Sequence, residues 1–164
     1  MSDLVFMMGE FSAEFPNDRQ YARNHMWAKR LGDDVYRFGF TAYAVRLLQD
    51  VYFLDWTIDD PGEGGDDPGK GGADGVPLAE RQEIGAIESK KAESDLFAPM
   101  AGNLLRFNEA LFSDPSWINV DKYVRGWLFE MAGTGAGLIS AQEYVEHLEA
   151  VWEVTQRTIK GQLN

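Results

Sequence analysis

Apolar and polar residues alternate through the first part of this chain in the way expected of strands that bury one face. One strand is predicted at Met26 to Lys29 and another at Val35 to Phe40, with Gly32 and Asp33 forming a hairpin turn between them. The aromatic residues that share one face of the second strand are Tyr36, Phe38 and Phe40. This pattern predicts an antiparallel pair packed against a core.

A change of period after this pair predicts a short helix. Thr41 is a favourable N-cap residue, and the helix is expected to continue to about Gln49. The residues predicted to face inward are Ala44, Leu47 and Leu48. A further strand is predicted from Val51 to Trp56, so the helix and this strand follow one another almost directly.

Two lysines lie between two extended stretches in the middle of the chain. Residues 83–88 alternate in polarity, residues 94–99 are again extended, and the polar residues 89–92 suit an exposed tight turn that contains Lys90 and Lys91. The spacing alone leaves two interpretations open. The pair belongs either to an ordinary hairpin with solvated lysines or to a turn that presents a lysine to a modifying enzyme.

The two ends of the chain carry different signals. Residues 1–15 are expected to form a flexible N-terminal arm, and residues 16–164 a single domain. Ser140 and Glu143 have the spacing of a capping box, which predicts a C-terminal helix from residue 140 to about Lys160. Its predicted apolar positions are Tyr144, Leu148, Val151 and Thr155.

A segment rich in glycine and aspartate interrupts the domain at residues 59–75. Its composition is too polar and too flexible to form a core, so we expect a solvated loop insertion. The aspartates lack the ligand spacing of a calcium-binding loop, and no metal site is predicted.

Composition narrows the function classes. The 164 residues include 27 acidic and 15 basic side chains, a net charge of -12 that argues against binding to nucleic acid or to an anionic membrane. This acidity favours protein partners with basic docking surfaces, or it serves only solubility. The absence of cysteine means that any redox sulfur must arrive on a cofactor. With neither a basic leader segment nor a long apolar run, a cytoplasmic protein is expected.

Residues 88–92, Glu-Ser-Lys-Lys-Ala, resemble the lipoylation motif of the H-protein family of the glycine cleavage system. The resemblance covers roughly residues 15–151, because further segments follow in the family's order. These segments are Tyr21 to Trp27, Gly39 to Ala44, Asn108 to Leu111, Ile118 and Asn119, and Gly126 to Leu128.

The resemblance implies a mostly β fold with flanking helices, a barrel-sandwich hybrid of the lipoyl-domain type with an exposed lysine hairpin. It implies lipoic acid attached covalently to Lys91, with Glu88 and Asp95 as recognition neighbours. The protein would be a cofactor carrier rather than an enzyme, with no catalytic residue of its own. A lipoate ligase or lipoyl transferase would attach the group.

In the family, a glutamate and a histidine line the cleft that receives the aminomethyl group of the loaded arm. The corresponding residues here are Met26 and Leu47, with Asn24 beside them, and neither Met26 nor Leu47 can pair with a protonated amine. His25 and His147 are expected to be packing residues.

Three functions follow as alternatives. The change in the cleft favours a specialised carrier, such as the lipoate-binding protein of a heterodisulfide-reductase-like complex in sulfur oxidation. The second is an H protein that serves glycine decarboxylase, aminomethyltransferase and dihydrolipoyl dehydrogenase. The third is a non-carrier interaction module or a lipoyl relay.

Overall fold

The computed structural model describes residues 3–59 and 75–163, with side chains through residue 154. The strands are β1 (Leu4–Met8), β2 (Phe11–Phe15), β3 (Gln20–Ala22), β4 (Met26–Gly32), β5 (Val35–Phe40), β6 (Val51–Trp56), β7 (Val76–Leu78), β8 (Glu83–Ser89), β9 (Glu93–Phe97), β10 (Gly102–Phe107) and β11 (Phe129–Ala132). The helices are α1 (Ala42–Leu48), α2 (Ala110–Ser113), α3 (Trp117–Val120) and α4 (Ala141–Leu163).

Two antiparallel sheets enclose the main core. One sheet has six strands in the order β3-β4-β5-β11-β10-β7, and the other has three in the order β6-β8-β9. Side chains from both sheets, such as Phe38 and Leu104 from the first and Ile84 and Leu96 from the second, belong to one buried apolar cluster. The predicted mostly β, barrel-sandwich class is therefore confirmed.

The predicted hairpin at β4 and β5 is present, with Met26 paired to Phe40 and Ala28 to Phe38. The aromatic face of β5 is buried, as the alternation predicted. The turn lies one residue later than predicted, because β4 continues through Gly32 and Asp34 adopts the left-handed conformation, with a φ of 54°. Aspartate tolerates this conformation better than most residues.

Helix α1 begins as the sequence predicts. The Thr41 hydroxyl accepts a hydrogen bond from the backbone N–H of Ala44 over 3.3 Å, which is the N-cap interaction. The buried residues are Tyr43, Val45 and Leu48, whereas Ala44 and Leu47 are only partly buried. The helix is thus rotated relative to the predicted face, because the N-terminal hairpin β1-β2 covers part of it.

The prediction of a flexible arm is wrong for residues 4–15. These residues form the antiparallel pair β1-β2, and Gly9 at their turn has a φ of 65°. The buried side chains of the pair are Phe6, Met8, Ala13 and Phe15. They pack in a second apolar cluster together with residues of α1 and α4. The hairpin is ordered by helices that lie far away in the sequence, so its local pattern did not reveal it.

The capping box at the start of α4 is confirmed. The N–H of Glu143 donates to Ser140 Oγ over 3.1 Å, and the N–H of Ser140 donates to Glu143 Oε1 over 3.2 Å. Tyr144 and Leu148, on the inner face of this helix, are fully buried in an apolar cluster. The helix continues to Leu163, three residues beyond the predicted end.

Most of the glycine- and aspartate-rich insertion predicted at residues 59–75 lies outside the described residues. Among the helices that are described, none combines the length and apolar character needed to cross a bilayer.

Candidate lipoyl-attachment site

Lys90 and Lys91 are exposed at the tip of the hairpin formed by β8 and β9. Ser89 closes this turn from one side. Its N–H and its hydroxyl both donate to the carbonyl oxygen of Ala92, over 2.9 and 3.0 Å, and its hydroxyl accepts from the N–H of Ala92 over 3.1 Å. The serine of the motif therefore fixes the backbone that carries the two lysines.

A neighbouring connection holds the turn from the other side. The N–H of Lys90 donates to the carbonyl oxygen of Asp50 over 2.8 Å, and that of Lys91 to the carbonyl oxygen of Leu48 over 3.4 Å. Asp50 and Leu48 flank the short connection between α1 and β6. The lysine side chains are thus free to extend while their backbone is fixed.

Asn119 fixes that connection in turn. Its Oδ1 accepts a hydrogen bond from the N–H of Val51 over 2.9 Å, and its Nδ2 donates to the carbonyl oxygen of Gln49 over 2.6 Å. Gln49 has a φ of 59°, a conformation that such external bonds help to maintain. Asn119 therefore supports the lysine turn without contacting either lysine.

Four carboxylates share the outer face of the three-stranded sheet next to the turn. Glu88 lies directly opposite Glu93, and Asp95 and Asp55 both lie opposite Ala86 on the flanking strands. All four acids are exposed. Two like charges directly opposite one another destabilise a sheet, so stability does not explain this arrangement. We term Asp55, Glu88, Glu93 and Asp95 the acidic face.

Comparison with known proteins identifies the family. A model of the family described as glycine cleavage H-protein matches residues 71–151. The glycine cleavage system H protein of Mycolicibacterium gilvum is 34% identical over 129 residues, which cover 79% of this chain and 87% of the relative. The chain belongs to the glycine cleavage H-protein family.

Two further comparisons agree with this assignment. The glycine cleavage system H protein of Alteromonas mediterranea is 32% identical over 141 residues, covering 84% of this chain and 98% of the relative. A crystal structure of a glycine cleavage system H protein from Mycobacterium marinum superposes with a TM-score of 0.64 at 30% identity, covering 80% of this chain and 97% of the other. These matches show both the H-protein fold and membership of the glycine cleavage H-protein family.

The structure places the two predicted recognition neighbours on one surface. Glu88 precedes the lysine turn on β8, Asp95 follows it on β9, and both belong to the acidic face. The sequence pattern did not indicate roles for Glu93 and Asp55, and it placed Asn119 in a family segment without giving it a role. The pairing of Glu88 with Glu93 follows from a turn of four residues, so the hairpin register could have revealed it, whereas the role of Asn119 depends on tertiary contacts.

The three predicted cleft residues lie in different surroundings. Met26 is only 1% exposed and pairs with Phe40 inside the main core, so it cannot line an open cleft in this structure. Leu47 is partly buried against the second apolar cluster. Asn24 is exposed, and its Nδ2 donates to the carbonyl oxygen of Phe97 over 3.1 Å. The prediction that Asn24, Met26 and Leu47 line one cleft is therefore wrong for Met26.

His25 belongs to a buried hydrogen-bond chain rather than to the lysine site. Its Nδ1 lies 2.9 Å from the Tyr144 hydroxyl, which lies 3.0 Å from the Thr41 hydroxyl. Burial, with a smaller contribution from His147, lowers the pKa of His25 to about 4. His25 is consequently neutral at neutral pH, which suits a packing role.

Among the described residues no group of three or more potential metal ligands comes together.

Proposed function

We propose that this protein is a lipoyl carrier of a glycine cleavage system, with lipoate joined by an amide bond to Lys91 Nζ. The observation that carries the proposal is the lysine turn, whose backbone is fixed by Ser89 and by the carbonyl oxygens of Leu48 and Asp50. A modifying enzyme can read such a turn as a rigid shape. The long side chain of Lys91 meanwhile leaves an attached group free to reach several partners.

The family motif selects Lys91 over its neighbour. In the H-protein pattern the modified lysine directly precedes alanine, and here Lys91 precedes Ala92. Both lysines are exposed, so solvent access does not distinguish them. Their positions in the turn distinguish them, because neighbouring residues of a fixed turn point their side chains in different directions toward an enzyme that docks on the hairpin.

Lipoate suits this chain chemically. The polypeptide contains no cysteine, and the dithiolane of lipoate would supply the sulfur that accepts a transferred group and is later reoxidised by a partner. The contribution of the polypeptide is to present that group. The protein is then a substrate of its partner enzymes rather than a catalyst.

The acidic face supports an aminomethyl cargo. The sequence favoured a carrier in sulfur oxidation, because Met26 and Leu47 stand where the family has residues that would pair with an amine. The structure adds four exposed carboxylates on the sheet that bears the lysine turn, and carboxylates stabilise a protonated amine. The comparisons lend no support to the sulfur-oxidation alternative. The partners are accordingly a lipoate ligase or lipoyl transferase, glycine decarboxylase, aminomethyltransferase and dihydrolipoyl dehydrogenase.

Reconstitution tests the function. The lipoylated protein, combined with those three cleavage enzymes from one source, is expected to support release of carbon dioxide from glycine, and the Lys91→Arg variant is expected to support none. The Lys90→Arg variant keeps Lys91 and serves as the matched control. Lipoylated protein that fails to turn over with the cleavage enzymes would contradict the pathway while leaving the carrier role intact.

A further inference from the structure

A pocket lies at the far end of β9 from the lysine turn. It has a volume of about 570 Å³, and the lining residues on which its chemistry depends are Arg23, Asn24, Arg81, Phe97 and His147. We term it the β9-end pocket. Its volume falls within the range of small-molecule sites. None of its lining residues belongs to the lysine turn or to the acidic face, and one of them, Asn24, is also one of the three predicted cleft residues.

The two arginines of the pocket have few partners among the described residues. Arg23 makes one long hydrogen bond, from Nη1 to the carbonyl oxygen of Gly137 over 3.5 Å. In the part of the chain that the structure describes, the guanidinium of Arg81 has no hydrogen-bond or ion-pair partner. Among the described lining residues, Arg23 and Arg81 carry positive charges and Glu80 a negative one, so the arginines outnumber the carboxylate.

Backbone strain marks the same place. Arg81 has a φ of 68°, and its N–H donates to the carbonyl oxygen of Ala98 over 3.0 Å, which holds the turn in this conformation. Glycine would adopt that conformation without steric cost, whereas arginine adopts it only at a steric cost. Strained residues of this kind concentrate at binding sites. The chain thus retains a guanidinium at a position where stability alone would favour glycine.

Part of the pocket lining is apolar. It is formed by Phe97, which is 42% exposed, together with Ala98 and Pro99. Asn24 donates its Nδ2 to the carbonyl oxygen of Phe97, which fixes the side chain beside this part of the lining. A ligand that matches both the arginines and the apolar residues has an anionic head and a compact apolar body.

We propose that the β9-end pocket binds a small organic carboxylate with an apolar body. The planar guanidinium of Arg81 would receive the carboxylate through two parallel hydrogen bonds, a geometry that arginine provides and lysine does not. Arg23 would supply the second cationic contact, and the apolar body would lie against Phe97.

Titration of the full-length, unlipoylated protein tests this site, with amide NMR shifts and calorimetry as readouts. The probes are 4-phenylbutyrate and its neutral amide, 4-phenylbutanamide. The carboxylate is expected to shift the resonances of Asn24, Arg81 and Phe97 in a saturable way, and to bind at least about tenfold more tightly than the amide, because a charge-assisted hydrogen bond is lost in the latter.

The informative variant is Arg81→Gly. It is expected to weaken 4-phenylbutyrate binding about tenfold or more while leaving the melting temperature unchanged or raised, because it relieves the strained φ. Arg81→Lys should weaken binding while keeping the charge. Arg30→Ala, at an exposed arginine outside the pocket, is the matched control and should bind as the wild type does.

Several outcomes would overturn the inference. Equal affinity for the acid and the amide would contradict recognition of a carboxylate. Unchanged binding by Arg81→Gly would contradict a role for Arg81. Inorganic phosphate that binds as tightly as 4-phenylbutyrate would show a simple anion site without an apolar subsite. Binding of an acidic peptide without binding of either probe would show a protein-docking surface instead.

Discussion

The backbone N–H of Lys90 donates a hydrogen bond over 2.8 Å to the carbonyl oxygen of Asp50, which joins the lysine turn to the connection between α1 and β6. This bond links two parts of the chain that are 40 residues apart in sequence. The lysine turn is therefore a supported part of the tertiary structure. Residues that hold the connection should influence modification of the lysine even though they do not touch it.

Asn119 provides the first test of this support. Asn119→Ala removes hydrogen bonds to Gln49 and Val51, and we expect it to lower the free energy of unfolding by about 1–3 kcal/mol and to slow lipoylation several-fold. The measurements are urea denaturation and the initial rate of lipoylation by a lipoate ligase.

Asn108→Ala is the matched control. Its side chain donates to the carbonyl oxygens of Arg125 and Trp127 and accepts from the N–H of Ala110, away from the lysine turn. It should destabilise the protein to a similar extent while the rate of lipoylation stays near that of the wild type. Equal slowing by both variants would show that Asn119 acts only through stability.

The acidic face gives a prediction in which stability and recognition change in opposite directions. Glu93→Gln removes the like-charge pair with Glu88, so we expect a gain of about 0.2–1 kcal/mol in the free energy of unfolding. The double change Glu88→Gln and Asp95→Asn is expected to lower kcat/KM for lipoylation about tenfold at low salt. Added salt should reduce that difference, because it screens exposed charges.

Glu149→Gln is the control for the acidic face, since Glu149 is an exposed acid on α4. Combined with Glu146→Gln at a second exposed acid of α4, it changes the net charge by the same two units as the double change. If it slowed lipoylation as much as the changes near the turn, overall charge rather than the acidic face would determine recognition.

Local signals account for the features that the sequence predicted correctly. These features depend on residues close together in the chain: the alternation of β5, the N-cap Thr41, the capping box of Ser140 and Glu143, and the bonds between Ser89 and Ala92 that close the lysine turn. Their hydrogen bonds and burial are set by that spacing, so a single sequence suffices to predict them.

The features that were missed depend on distant partners. The hairpin β1-β2 is ordered because Phe6 and Phe15 pack in the cluster that contains Tyr43 and Tyr144, from α1 and α4. The burial of Met26 depends on its pairing with Phe40. A family position suggested a cleft for Met26, whereas the strand register places its side chain in the core.

The burial of Met26 predicts a large effect of a charge there. Met26→Glu restores the residue type that the family has, but it would bury a carboxylate with no cationic partner, so we expect a loss of several kcal/mol, about 3 or more, in the free energy of unfolding. Asn24→Glu, two residues away and exposed, is expected to cost under about 1 kcal/mol. Chemical denaturation of the two variants measures the difference. A stable Met26→Glu protein would show that this strand can turn its side chain outward.

The lowered pKa of His25 predicts that the protein loses stability in mild acid. Its pKa is about 4 in the folded protein against 6.5 for the free side chain, so the unfolded chain binds more protons between these pH values. The free energy of unfolding should therefore fall by about 2 kcal/mol from pH 7 to pH 5 on account of His25 alone. The aromatic rings around it are those of Tyr43, Tyr144 and His147.

His25→Asn tests this pH dependence, because asparagine tolerates the φ of 72° at this position. The variant should lose most of the decline between pH 7 and pH 5. Glu130 does not interfere, since hydrogen bonds from Arg106 and Arg37 outweigh its burial and lower its pKa, so its contribution is lost at more acidic pH. An undiminished decline in the variant would contradict the assignment of this pH dependence to His25.

Intact-mass and peptide mass spectrometry tests the central claim most directly. The protein is produced together with a lipoate ligase as wild type, Lys90→Arg and Lys91→Arg. We predict one lipoyl increment in the wild type and in Lys90→Arg, located on Lys91, and none in Lys91→Arg. A lipoyl group on Lys90, or its absence from the wild type under conditions that modify another H protein, would contradict the assignment of Lys91 as the attachment site.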